Sequence, residues 1–139
     1  LSDVLLDTHA WVWLLEGDAR LGARAVSSIE AAARTGAVWV SAISPWEVGM
    51  LVAKQRLVFT HDVLDWVQEA LAQAALRLAP LTPDIAVGST RLPGEIHGDP
   101  ADRLLVATAR KLGVALVTAG EALLTYGRAG HVHTIDARE

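Results

Sequence analysis

Cysteine is absent from the 139 residues. That excludes a disulfide framework and any thiolate metal site, and it is compatible with a reducing cytoplasm. No stretch approaches the roughly 18 uninterrupted apolar residues of a membrane span, so no membrane association is expected. Positive charge is scarce: 12 Lys and Arg stand against 16 acids, a formal net charge of −4. A broadly basic surface that coats nucleic acid is therefore excluded. The opening residues, Leu1 to Asp7, carry two acids and no basic segment, so no secretory signal is expected there; the missing initial Met is read as trimming or an omitted start residue. What is present suits a packed globule. Hydrophobic residues make up 52% and charged residues 20%, and a chain of this length reads as one domain, residues 1–139, able to bury about two-thirds of its unfolded surface.

Strand and helix patterns alternate. Val4-Leu5-Leu6 reads as a buried strand ending at Asp7, and Thr8 to Glu16 as a helix with Trp11, Leu14 and Leu15 on one stripe, broken by Gly17-Asp18. A second helix is expected over Gly22 to Arg34, stopped by Gly36, and a strand at Val38-Trp39-Val40. Ser44-Pro45-Trp46-Glu47 opens a helix toward Gln55, with Pro45 suited to a first helical turn. His61 to Leu76 is amphipathic, with Val63, Val67, Leu71 and Ala74 inward. Leu78 to Leu81 reads as a short strand or an extended link, Pro83 to Thr90 as a short helix and Pro93 to Gly98 as a loop. Asp99-Pro100 starts a helix ending at Gly113. Val114 to Val117 is a strand, Glu121 to Tyr126 helical, and Val132 to Ile135 a final strand. The alternation predicts an α/β/α sandwich, three layers around a mostly parallel sheet.

In such sheets sites form beyond the carboxyl ends of strands. Asp7 ends the first strand, Glu47 enters the helix after the second, and Asp99 and Asp102 open the helix before the third strong strand. Carboxylates gathered from these places repel, and one of them is pushed toward protonation unless a cation intervenes. Mg²⁺ or Mn²⁺ suits such oxygen donors and retains water that can attack phosphorus. Scattered acids thus lead to phosphodiester hydrolysis, and the negative net charge does not exclude a nuclease whose acids are masked by metal.

Three segments carry a family resemblance: Val4-Leu5-Leu6-Asp7-Thr8-His9-Ala10, Ser44-Pro45-Trp46-Glu47, and His97-Gly98-Asp99-Pro100-Ala101-Asp102-Arg103-Leu104-Leu105-Val106-Ala107. In order and spacing they resemble the PIN-domain ribonucleases, in particular the VapC-type toxins of bacterial toxin–antitoxin pairs. The resemblance spans Asp7 to Ile135. It implies a PIN-like fold, Mg²⁺- or Mn²⁺-dependent cleavage of RNA to 5′-phosphate and 3′-hydroxyl ends, a homodimer, and inhibition by a small cognate antitoxin in a toxin–antitoxin assembly that can exceed the dimer. By position Asp7, Glu47 and Asp102 match the family's first three acids, which hold the metal, and Asp99 an additional one. The fourth acid follows the third main strand; here the stretch reads Val117-Thr118-Ala119-Gly120, with Gly120 in the acid's place and Glu121 one residue on.

Each acid also has a plainer reading. Asp7 can cap the helix after it, Ser44 and Glu47 can form a capping box, and Asp99 can cap the helix opened by Pro100. Thr8 and Thr118 can orient a carboxylate or substrate, or close turns. Arg103 can hold a substrate phosphate or pair with a nearby acid; which of Arg103 and Arg110 lines a groove is open. With metal chemistry available, His9 and His97 are not required as acids. Trp13, off the apolar stripe of its helix, is expected to be exposed at a partner surface. Two rival functions stand beside the nuclease. One is a catalytically weakened module that binds an antitoxin or nucleic acid. The other is a phosphatase with Asp7 as nucleophile, disfavoured by His9 where a second acid would stand.

Overall fold

The computed structural model describes residues 3–139; Leu1 and Ser2, part of the stretch read for a secretory signal, lie outside the described residues. The elements follow in the order β1 (Val4–Leu6), α1 (Thr8–Glu16), α2 (Ala23–Thr35), β2 (Val38–Ser41), α3 (Ile43–Ala53), α4 (Val63–Leu71), β3 (Leu76–Ala79), α5 (Pro83–Gly88), α6 (Pro100–Leu112), β4 (Ala115–Thr118), α7 (Glu121–Arg128) and β5 (Thr134–Asp136). The strands form one sheet in the order β3-β2-β1-β4-β5. Every pairing is parallel, so the expected mostly parallel sheet is wholly so. None of the helices among the described residues is long and apolar enough to cross a membrane.

Alternation within β1 divides the core. Val4 and Leu6 join one buried cluster with Trp11, Ile29, Val40 and Trp66; Leu5 faces the other, with Leu105, Val106, Leu116 and Tyr126. A sheet covered on both faces explains why its strands are apolar runs rather than alternating ones. The chain first builds outward through β2 and β3, then returns across β1 to add β4 and β5. The strand order therefore reverses at β1, and the crevice beyond the ends of β1 and β4 is where an open α/β sheet binds ligands.

Three expectations are corrected. The amphipathic segment starting at His61 does not run to Leu76: α4 stops at Leu71, and Leu76–Ala79 pairs with Val38–Ser41 as the edge strand. Of its expected inward residues, Val67 is buried and Val63 and Leu71 pack against the core, while Ala74 lies beyond the helix and is exposed. Trp66 and Ala70 are buried as well, because Trp66 packs edge-on to Trp11 at 5.0 Å and stacks on Phe59 at 4.5 Å. Trp13 is buried at 5% exposure, whereas Trp46, beside Glu47, is 54% exposed. Helices end where glycine was read as a stop: Gly17 and Gly113 adopt φ of 63° and 69°, the left-handed conformation that glycine takes at no steric cost.

The carboxyl-terminal tail packs on the start of α2. Gly22 N–H donates to Ala137 O at 2.8 Å, and Arg24 N–H to Glu139 O at 2.8 Å. A Cβ at Gly22 would lie 2.3 Å from the Glu139 carbonyl carbon and 2.5 Å from Arg138 O. Backbone cannot swing aside as a side chain does, so Gly22→Ala is expected to dislodge the tail and destabilise the protein by about 1–3 kcal/mol. Urea unfolding of the two proteins measures it; equal midpoints would refute this packing.

Candidate active site

Asp7 is both the end of β1 and the N-cap of α1. Its Oδ1 accepts from Ala10 N–H at 2.8 Å, and its Oδ2 from the Thr118 hydroxyl, at the end of β4, at 2.6 Å. The cap leaves room for a second role, since a carboxylate has about four acceptor positions and these bonds fill two.

Glu47 does not belong to a capping box. α3 begins at Ile43, and Ser41 Oγ accepts from Ile43 N–H at 3.1 Å. Ser44 and Pro45 are thus already inside the helix. Glu47 Oε1 lies 2.5 Å from Thr8 Oγ1, which is also 2.9 Å from Ser44 Oγ. One hydroxyl carries one proton, so Thr8 donates to the carboxylate and accepts from Ser44. Asp99 is the N-cap of α6, accepting from Ala101 N–H at 2.9 Å and Asp102 N–H at 3.3 Å. Asp102, three residues into the motif, contacts His97 Nε2 through Oδ2 at 3.2 Å.

The four acids line one cavity of about 480 Å³ together with Thr8, Thr118, Gly120, His9, Trp13, Arg20 and Arg138. Acids from three distant segments therefore share a pocket at the sheet's reversal point. The electrostatics register the crowding. Burial pushes the Asp7 carboxyl up against the bonds from Thr118 and Ala10. Burial also raises Glu47 against its bond from Thr8, and the charges of Asp99 and Asp7 add to the rise. Asp102 is pushed up to about 6, first by burial and then by Asp99, with His97 opposing.

Raised carboxyls make the metal-free fold more stable when protonated, and that advantage is lost as pH rises through the folded-state values. Between about pH 4 and 6 the metal-free protein is therefore expected to lose stability. Asp102→Asn should flatten this profile and gain about 1–3 kcal/mol at pH 7, the upper end reduced by solvent screening. Urea melts in chelator at several pH values decide it; a wild-type profile that rises from pH 4 to 6 would contradict the reading.

The donors suit a hard divalent ion in kind: carboxylate and hydroxyl oxygens, with no thiolate. Among the described residues, however, no group of three or more His, Asp or Glu side chains is arranged as placed to hold a metal. The carboxylates are turned onto protein donors instead. Glu47 through Thr8 and Asp102 through His97 are each held by a side-chain contact on a partly exposed group, which rotation about side-chain bonds releases. The residues present fit a metal by chemistry and by the repulsion they otherwise suffer.

Other expected site residues fall elsewhere. Arg103 donates through Nε to Ser89 O at 3.0 Å, and through Nη1 to Ile96 O at 3.3 Å and His97 O at 3.4 Å. It pins the loop before α6 and does not line the cavity. Arg110 donates to His131 O, also away from the site. Glu121 pairs with Arg128 at 2.8 Å on the surface and does not line the cavity, whereas Gly120 does. Ser44 and Trp13 belong to the site's surroundings, and so do Arg20 and Arg138, which carry no local signal in the sequence; Arg138 is brought there from the opposite end of the chain.

This architecture, with acids gathered at the ends of β1 and β4, defines a class. The PIN domain pattern matches residues 4–129, and the chain belongs to the PIN domain family. At the level of individual relatives, it is 38% identical to Ribonuclease VapC22 of Mycobacterium tuberculosis over 118 residues, covering 85% of this chain and 87% of that protein. Solved structures agree on the fold. A chain of the crystal structure of VapBC2 from Rickettsia felis bound to a DNA fragment from their promoter aligns with TM-score 0.70 at 16% identity, covering 96% of this chain and 97% of that one. A chain of FitAcB from Neisseria gonorrhoeae aligns with TM-score 0.66 at 20% identity, again over 96% and 97%.

Proposed function

We propose that the protein is a Mg²⁺- or Mn²⁺-dependent endoribonuclease toxin that hydrolyses RNA phosphodiester bonds and is neutralised by a small cognate antitoxin. It acts in the cytoplasm as a homodimer. The observation that carries this reading is the shared cavity of Asp7, Glu47, Asp99 and Asp102, in a chain homologous over most of its length to a protein named as a ribonuclease. The antitoxin partner is supported by the fold shared with chains of VapBC complexes.

Asp7, Glu47 and Asp102 would hold the ion, with Asp99 assisting from the helix cap; the chemistry supplied there would be a lowered pKa of water and neutralisation of charge developing on the phosphoryl oxygens. Thr118 and the Ala10 N–H fix the Asp7 carboxylate, which then loses little freedom on binding. Thr8, anchored by Ser44, orients Glu47. Burial raises the Asp102 carboxyl to about 6 in the metal-free protein, so protons compete with the ion in acid, and more Mn²⁺ should be needed for half-maximal cleavage as pH falls. Incubation with RNA in Mn²⁺ should yield fragments bearing 5′-phosphates, and excess chelator should stop it. Cleavage indifferent to chelator would refute the metal role.

Gly120 favours a second reading, a weakened module that mainly binds antitoxin or nucleic acid. It lines the cavity where the family's fourth acid is expected. No cleavage at millimolar Mn²⁺, with no rise in melting temperature, supports that reading, since an ion that binds only the folded state must stabilise it.

A further inference from the structure

A cavity walled by four acids repels the polymer it is meant to cut. Metal relieves the repulsion locally, but the flanking phosphates need fixed positive charge, and this chain has little of it. Arg103 and Arg110 are bound to backbone carbonyls, Lys111 pairs with Asp84 and Arg128 with Glu121. The arginines that line the acidic cavity are Arg20 and Arg138.

Both are held against the same ring. The Arg20 guanidinium carbon is 5.1 Å from the Trp13 ring centroid and that of Arg138 is 5.6 Å. A buried Trp13 gives two flexible side chains a fixed platform. Arg20 is further set by Asp18, which takes Nη2 at 2.7 Å and Nε at 3.1 Å. Arg138 donates Nη1 to Ala119 O at 3.1 Å, the residue after the Thr118 that binds Asp7. It pairs with no carboxylate among the described residues, so its Nε and Nη2 remain for a ligand. The tail that carries it is docked by Gly22, where a Cβ would strike Arg138 backbone. Close packing, ring platform and carbonyl tether together preorganise a cation next to the carboxylates.

We propose that Arg138, seconded by Arg20, forms a cationic wall of this cavity that holds an RNA backbone phosphate adjoining the one to be cut. Guanidinium donors match the non-bridging phosphoryl oxygens in a planar fork. Arg138 carries the larger share, because Asp18 already neutralises Arg20. The contact is to backbone, so it positions RNA without reading its bases. The proposal deepens the ribonuclease reading and rests on it.

The test uses the full-length protein with Arg138→Gln and Arg20→Gln, which lose charge yet keep an amide to meet Ala119 O or Asp18. Arg34→Gln, on the exposed end of α2, controls for net charge. Melting temperatures confirm folding, and Arg138→Lys restores charge. Cleavage kinetics should show KM raised about tenfold by Arg138→Gln and less by Arg20→Gln, with kcat little changed and partial rescue by lysine. In the Asp7→Asn background, RNA affinity measured against salt should lose about 0.7 from its logarithmic slope for each contact removed. If the wild type cleaves RNA and Asp7→Asn abolishes cleavage, but both glutamine variants match Arg34→Gln in KM and slope, the wall is refuted and the ribonuclease stands. If the wild type neither cleaves nor binds RNA, both fall.

Discussion

Asp7→Asn is expected to lower RNA cleavage about a thousandfold and at the same time to make the metal-free protein more stable. The two effects share one cause. Asn keeps the shape and one acceptor oxygen, so the bond from Ala10 N–H persists; the Thr118 hydroxyl reorients to meet the amide. What disappears is a buried negative charge whose carboxyl is pushed toward protonation. Its loss relieves desolvation and repulsion from Glu47 and Asp102, worth about 1–2 kcal/mol. On the proposed mechanism its loss also removes the most deeply fixed oxygen offered to the ion, and with it charge stabilisation that in other enzymes is worth about 10²–10³ in rate per group. Initial rates in saturating Mn²⁺, with melting in chelator, measure both. Unchanged cleavage removes Asp7 from the mechanism, and a lower melting temperature would mean that the cap matters more than the charge.

Gly120→Asp is the converse experiment. Gly120 is the N-cap residue of α7 with φ of −71°, a conformation open to any residue, so no backbone strain opposes the change. A Cβ there meets Thr118 Oγ1 at 3.4 Å and Leu123 no closer than 3.8 Å, which is ordinary contact. The new carboxylate stands at the cavity and at a helix start lacking a side-chain cap, where Asp is favoured. Mn²⁺ affinity should rise about 10–100-fold, the scale on which groups supporting a metal site act. Metal-free stability should change little, as the cap offsets added repulsion. No gain in affinity would mean that position 120 does not serve the ion.

Most of the fold was legible because strand and helix periods differ and because glycine and proline mark the joints. The failures have physical causes. The segment after α4 has helical periodicity, but pairing with β2 takes Leu76 to Ala79 into the sheet, and an edge strand announces itself weakly. Trp13 is off the Trp11, Leu14 and Leu15 stripe, yet it belongs to the same buried cluster as Trp11, and two arginines, one from the far terminus, lie over its ring. The acids were legible as strand ends and helix starts. Their bonding was not: Ser44 and Glu47 have the spacing of a capping box, but α3 starts one residue earlier, at Ile43 after Ala42, and both side chains turn to Thr8 across the crevice. Arg103, inside the motif, serves a loop, while Arg20 and Arg138 carry no motif at all.

The central claim is that Asp7, Glu47 and Asp102 together bind one kind of divalent ion. Calorimetric titration of Mn²⁺ into the metal-free protein at neutral pH tests it most directly, with Asp7→Asn, Glu47→Gln and Asp102→Asn in parallel. The account predicts saturable binding by the wild type that each substitution abolishes or severely weakens. Identical binding curves for all four proteins, or no binding by any at millimolar Mn²⁺, would contradict it.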